Sequence, residues 1–515
     1  MTCAITMAQA WEHVYPNGAF SRIAYSAHNH YDNGIILGIN EYNSNLSSTR
    51  IVLTKIDEDG NIIWEKTIGN FNEGIGVLNI IVRNKDLFVT GVGYKFDSEG
   101  CSFISKYNSC FERCFTSEYG LQNDLDYALK ILPSLDSNLF LEIQYYGIDT
   151  AQNPERATML KLTPNGDVIW QTNFTPAAFG VDFDNMILTN DSGLLAISTG
   201  YLPDSGTASP SFVRTIATKI DKNGIIEWSN AYGLSNFYYT HGKSAIQTKD
   251  NGYLLLSRWA TLWKAIRTWN YLIKIDSLGK EEWRKFISDT TELSEYPNEI
   301  LWLNDSELVV TASVSNNTDI QTIIDRRIKI YKIDTLGFIK DSNTVGANWQ
   351  LAGQSILTKD TNIMVCGMRA PNGVNRQAFA LKIRTSDLQL DTMKNQNLTY
   401  DYLCPTIITS GFIPYDTAAT NIGFAEEEQT SVQFLLYPNP ASAVLYITPG
   451  EPISNATQLT ANVYNAYGQI IETVLLKPHQ TQISINVINY TAGAYILTVT
   501  QQGNVVYKNR FMVVK

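Results

Sequence analysis

The chain has 515 residues, of which 44% are hydrophobic and 17% charged, with 28 Tyr and 10 Trp. That is an ordered, aromatic-rich composition of the β kind. A net charge of −11 argues against the cationic face that nucleic acid or an anionic membrane surface would demand. No run of 18 apolar residues occurs, so no transmembrane helix is expected.

The N-terminus, MTCAITMAQA, ends in the small-x-small box Ala8-Gln9-Ala10. Residues 1–10 read as the remnant of a signal peptide, with a mature chain starting at Trp11. Six cysteines are present. Cys110 and Cys114 are near enough in sequence to bridge a tight turn, or else are two thiols. With no CxxC pair, a structural zinc site is not expected.

From residue 55 onward one unit recurs. Its fullest form is K-I-D-x-x-G-x-φ-x-W, as in TKIDEDGNIIW (54–64) and TKIDKNGIIEW (218–228). Copies are anchored at Lys55, Lys106, Lys161, Lys219, Lys274, Lys332 and Lys382. The aromatic position is Trp64, Phe115, Trp170, Trp228 and Trp283, decaying to Asp341 and Asp391 in the last two copies. A second motif, D-x-G plus an apolar run, precedes each lysine, as in DSGLLAIS from Asp191 and DNGYLLLS from Asp250. Both motifs read as hairpin turns, with Asp accepting backbone hydrogen bonds and Gly supplying a positive φ.

The flanking runs are apolar on both faces, so these strands are buried between sheets. About 55 residues per unit gives four short strands, and seven such units make a seven-bladed β-propeller over 11–415. Trp11, Trp64, Trp170, Trp228 and Trp283 are expected to dock between blades. The seventh unit lacks its Trp strand, and WEHVYPNG from Trp11 is a spare one. Pairing the two would close the ring and remove both edges. The repeat resembles those of quinoprotein-like and WD40-like propellers. That family includes quinone-dependent dehydrogenases, but their calcium and quinone site has no counterpart here, so no cofactor is expected.

Residues 416–430, DTAATNIGFAEEEQT, read as a linker. From 431 to 515, short alternating strands broken by Pro, Gly and Asn indicate a small Ig-like β-sandwich. Three blocks of this segment resemble the type A C-terminal sorting domain of the type IX secretion system of Gram-negative bacteria. They are Tyr437-Pro438-Asn439-Pro440, the Val463–Ile471 stretch with Gly468, and Gly493-Ala494-Tyr495 running to a C-terminal Lys515. The resemblance implies passage through the periplasm, engagement of the type IX machinery, and release from the cell or attachment to surface lipopolysaccharide.

Catalytic signatures are absent from the sequence. No HExxH or Ser–His–Asp order appears among five histidines. His28-Asn29-His30 lacks a third identifiable ligand and reads as surface histidines, so no metal is expected. The sequence departs from the repeat around the fifth blade, where NFYYTHG and RWATLWKAIRTW fall on the face opposite the short turns. Tyr238, Tyr239, His241, Trp259, Trp263, Arg267 and Trp269 are the candidates for contacting a glycan or protein ligand. The competing expectation is that these aromatics only pack a long hairpin. The sequence therefore points to a secreted or cell-surface binding or structural propeller rather than an enzyme. The alternative is a polysaccharide-active hydrolase or lyase working through carboxylates on the same face.

Overall fold

A computed structural model describes residues 10–513 except 17–19, 45, 95–99, 121–124, 147–155, 175–180, 204–209, 234–238, 261–267, 289–293, 316–325, 348–349, 372–374, 395–397, 416–419, 424–433, 438–440, 450–458, 466–469, 478–479, 481, 492 and 502–503. Its contacts divide the chain into two compact units, 1–423 and 424–515.

The first unit is a seven-bladed β-propeller. Each blade is an antiparallel four-stranded sheet, strands A to D from the axis outward. The blades span residues 21–68, 75–120, 125–174, 181–232, 239–286 and 294–345, and the seventh is built from 350–383 with Glu12–Tyr15. The N-terminal strand is the seventh blade's outermost, pairing Glu12 with Leu381 and Tyr15 with Ala378. Ring closure by the spare strand is thus observed, and it leaves neither end of the ring as an open edge. Apolar residues such as Leu254, Leu255, Leu256 and Leu272 have no exposure, since both faces of each blade meet a neighbour.

Every innermost strand carries a bulge at the same place, at Tyr25, Leu78, Leu129, Asp184, Lys243, Asn298 and Gly353. In six of the seven blades the residue after the bulge joins a polar belt between blades. Gln354 Oε1 accepts from Ser26 Oγ and Ala27 N, Asn79 Nδ2 donates to Ser26, and Ser244 Oγ donates to Glu299 Oε2. The bulges re-aim one side chain per blade while these bonds satisfy the interrupted ladder.

After the seventh blade, the described residues of 384–423 turn back across blades one and two as a strap. Gly411–Ile413 pairs in parallel with blade one's outer strand, and Thr420–Gly423 pairs with blade two's. Residues 420–423 lie inside the stretch read as a linker. The strap is fastened by a disulfide between Cys110 and Cys404. This corrects the Cys110–Cys114 pairing: Cys114 is a free, exposed thiol. The correct partner is 294 residues away in sequence, where no spacing argument reaches it.

The second unit is a β-sandwich. One sheet contains Phe434–Tyr437, Val444–Pro449 and Ile483–Asn486; the other orders Ile470–Leu476, Leu459–Tyr464, Gly493–Gln501 and Asn504–Val513. Alternate residues Leu445, Ile447, Ala461, Val463, Ile485, Leu497 and Val499 fill the core between them.

Candidate functional site

The two repeated motifs meet in space. Within a blade, the lysine that ends strand C reaches the aspartate of the A–B turn: Lys219 to Asp191 at 2.7 Å, Lys274 to Asp250 at 2.9 Å, Lys161 to Asp136 at 2.6 Å and Lys382 to Asp360 at 2.8 Å. The turn chemistry differs from expectation in one respect. In D-x-G turns the positive φ belongs to the middle residue, as at Asn251 (63°) and Ser192 (68°). The glycine is needed for room, because a Cβ at Gly252 would lie 2.6 Å from Lys274 Nζ and 2.4 Å from Ile275 O. In K-I-D-x-x-G turns the glycine does take positive φ, as at Gly224 (84°), while Asp221 Oδ1 accepts from the N–H groups of Asn223 and Ile225.

Those glycines also face the preceding blade. Trp228 lies against Gly279 and donates Nε1–H to Ser277 O at 3.1 Å. Trp170 does the same with Gly224 and Lys222 O. The Trp283 ring sits beside Gly337. Trp11, fully buried, donates to Glu58 O at 2.7 Å. Trp64 departs from this pattern. Its indole packs on Phe111 and donates to Asp401 Oδ2 of the strap at 2.9 Å.

That strap aspartate completes a buried cluster. Lys55 Nζ bonds Asp32 Oδ2 at 2.5 Å, pairs with Asp401 Oδ1, and stands 3.1 Å from His30 Nδ1. His30 Nδ1 is also 2.8 Å from Asp32 Oδ1. Burial alone would raise the Asp32 carboxyl, but the bonds from His30, the Asp401 N–H and Lys55 hold it well below the ordinary range. His30 is therefore not the surface histidine expected, being 1% exposed. His30, Asp32 and Asp401 have the proximity of a metal triad. The Lys55 ammonium, however, already bonds both carboxylates and supplies the positive charge that an ion would bring.

The described fifth-blade candidates, Tyr239, His241, Trp259 and Trp269, lie at the opposite ends of the strands from the turns. Tyr238, Trp263 and Arg267 lie outside the described residues. Trp259 and Trp269 are direct partners on strands B and C, with ring centroids 5.0 Å apart. Phe286 on strand D extends the row, 5.2 Å from Trp259 and 46% exposed. Trp259 also rests on the core between blades four and five. Tyr239 opens strand A and bridges to Val213 of blade four. His241, two residues on, is held neutral: burial, then the charges of Arg258 and Lys243, lower its pKa to about 2.

Nearer the axis, the bulge residues of blades four and five form an ion pair, Lys243 Nζ to Asp184 Oδ1 at 2.5 Å. Thr199 Oγ1 donates to Asp184 Oδ2 at 2.6 Å. Burial raises the Asp184 carboxyl despite Lys243 and Thr199. Arg258 and Arg326 flank the Tyr296 ring, 5.4 and 4.7 Å from its centroid. Sequence reasoning missed Phe286, Tyr296, Arg326, Asp184 and Lys243, because they come from three blades and nothing local marks them.

In the sandwich, Tyr495 is buried, stacks on Phe511 at 5.6 Å and donates to Thr491 O at 2.8 Å. Gly493 opens that strand, and Tyr437 pairs with Tyr446. Pro438, Asn439, Pro440, Gly468 and Lys515 lie outside the described residues.

Residues 435–514 match the family model of the secretion system C-terminal sorting domain. A domain of that family marks its chain for export to the cell surface or beyond. No helix among the described residues is long and apolar enough to cross a membrane. No curated protein matches the sequence. Among solved structures, the chain is similar to Drosophila Plexin A in complex with Semaphorin 1b, at 8% identity and a TM-score of 0.41, covering 73% of this chain and 87% of that one. It is also similar to the α-L-arabinofuranosidase Arb93A of Fusarium graminearum, at 11% identity and 0.39, covering 74% and 99%. A third is a subtype N10 neuraminidase-like protein of a little yellow-shouldered bat influenza virus, at 12% and 0.37, covering 73% and 98%.

Proposed function

We propose that this is a propeller exported through the type IX route by its sorting domain, and that it works outside the cell as a binding module for a glycan or protein ligand. The observation that carries the reading is the join of that domain, residues 435–514, to a closed, strapped ring. A closed ring, with its short edges spread over separate blades and its end stapled by a disulfide, suits a surface exposed to the medium. Export is tested by deleting 435–514: the propeller should then stay in the periplasm, and its undiminished appearance outside would sink the reading.

The ligand face proposed is the open side of blade five. Tyr239, Trp259 and Trp269 offer aromatic planes, Arg258 and Arg326 place guanidinium groups beside the Tyr296 ring, and Tyr238, Trp263 and Arg267 are neighbours in sequence. Aromatic planes beside such donors suit sugar rings and peptide segments. Trp269→Ala with Trp263→Ala should lower retention on a glycan array by about ten-fold, equivalent to about 1.4 kcal/mol, with little change in melting temperature. A large thermal loss with retention intact would return these residues to packing.

A second reading, a polysaccharide-cleaving enzyme, is favoured by one group, Asp184. Its carboxyl is carried by an innermost strand, beside Lys243, with its pKa raised by burial, as a proton donor's would be. Reducing ends released from a polysaccharide by the wild type and abolished in Asp184→Asn would favour this reading over simple binding.

A further inference from the structure

The turn face of blades four to six breaks the repeat. In blades four, five and seven the A–B turn aspartate bonds its own blade's lysine. In blade six the matching residue, Asp305, reaches instead toward Lys249 of blade five, 3.4 Å away, and is 96% exposed on its side chain. The preceding position on strand A is also exceptional. It holds Asn29, Val82, Pro133, Leu188, Gln247 and Leu357 in the other blades, and Trp302 here. Trp302 is fixed by donating Nε1–H to Gln247 O at 3.1 Å, and one side of it rests on the core between blades five and six. Asn190 of blade four closes the group, its N–H donating to Gln247 Oε1 at 2.7 Å.

These departures surround a single cavity of about 370 Å³, lined by Asn190, Gln247, Lys249, Trp302, Asn304 and Asp305 among others. The volume falls within the range of small-molecule sites, about 300–1,000 Å³. The lining combines one indole with side-chain amides, a carboxylate and an ammonium. Amides and charged termini supply both donors and acceptors, which hydroxyl groups satisfy in either sense. Lys249 and Asp305 cancel in charge, so the site has no net preference for an ion. We infer that this cavity is a binding site for a short neutral saccharide, its ring lying along Trp302 and its hydroxyls meeting Asn190, Asn304, Lys249 and Asp305. The site lies at the opposite ends of the strands from the open-face aromatics and stands independently of them.

The test is saturation-transfer NMR on the full chain with methyl β-glucoside, methyl α-mannoside, N-acetylglucosamine, cellobiose and maltose, and with glucuronate as the charged comparison. At least one neutral sugar should receive saturation. Its affinity should fall by about ten-fold or more, the loss of about 1.4 kcal/mol, in the Asn304→Ala/Asp305→Ala double variant, whose altered side chains are exposed. Asn165→Ala, on the turn face of blade three, should leave binding unchanged. Trp302→Phe, which keeps a ring, should bind more weakly than wild type but better than Trp302→Ala. No transfer to any neutral sugar, transfer that survives the double substitution, or a preference for glucuronate would each overturn the assignment.

Discussion

Blades one and five carry the same motifs and use them differently. In blade five, Lys274 meets an Asp250 side chain that is 57% exposed, and Trp228 of the preceding blade caps the turn by bonding a main-chain carbonyl. In blade one, Lys55 and Asp32 have no side-chain exposure, because the strap lays Asp401 across them and takes the Trp64 indole as well. Identical residues thus form a buried lysine bonded to half-exposed carboxylates in one place and a sealed charge network in another. The surroundings, not the motif, set what the pair is worth.

The largest break in this comparison is Lys55→Ala against Lys274→Ala. Removing Lys55 leaves buried carboxylates without their cation and should cost about 3–5 kcal/mol. The Lys274 change leaves carboxylates that water already reaches, and should cost less, about 1–3 kcal/mol. Denaturant unfolding of both variants checks the difference. Next is Cys404→Ser, which unfastens the strap and should cost about 2–4 kcal/mol. Peptide mapping without reductant should recover Cys110 linked to Cys404, with Cys114 alkylated.

Replacing each indole by a ring without a donor sharpens the same contrast. Trp64→Phe leaves the strap carboxylate short of a bond and should cost about 1–3 kcal/mol, whereas Trp228→Phe frees a part-solvated carbonyl and should cost about 0.5–1.5 kcal/mol. Equal losses in thermal melts would mean that the strap adds nothing.

Acid gives the mildest perturbation. At Asp250, burial pulls the pKa upward, but Thr248, Lys274 and the Gly252 N–H outweigh it and bring it to about 2. Asp32, Asp136 and Asp360 are lowered as well. Each takes up its proton more readily in the unfolded chain, near pH 3.9. Their contribution is therefore complete above about pH 4 and is lost as pH falls toward 2. Melting temperature should be level from about pH 7 to 5 and decline below about pH 4. Asp250→Asn should make that decline shallower.

Much of the fold could be read from the chain because a propeller repeats its instructions. Lys219, Asp221, Gly224 and Trp228 recur in register, and a strand apolar on both faces can only lie between sheets. The spare strand at Trp11 was legible for the same reason. The strap was not, since Asp401, Cys404 and Gly411–Ile413 match no repeat and act only through partners about 300 or more residues away in sequence. Nearness in sequence makes Cys114 a candidate partner of Cys110, with two thiols as the alternative, and gives no cue to Cys404. At the candidate ligand face, Trp259 and Trp269 stood out as aromatic interruptions, while Asp184, Lys243 and Tyr296 needed three blades placed side by side.

By itself the sequence determined the seven-bladed ring, its closure and the sorting domain, because each rests on local patterns that recur or match a family block by block. Only the tertiary structure decided which motif residues are sealed and which are solvated, where the disulfide runs, and which departures from the repeat share a cavity. Those depend on burial and on contacts between distant segments, and a residue's neighbours in space set its dielectric, its partners and its charge.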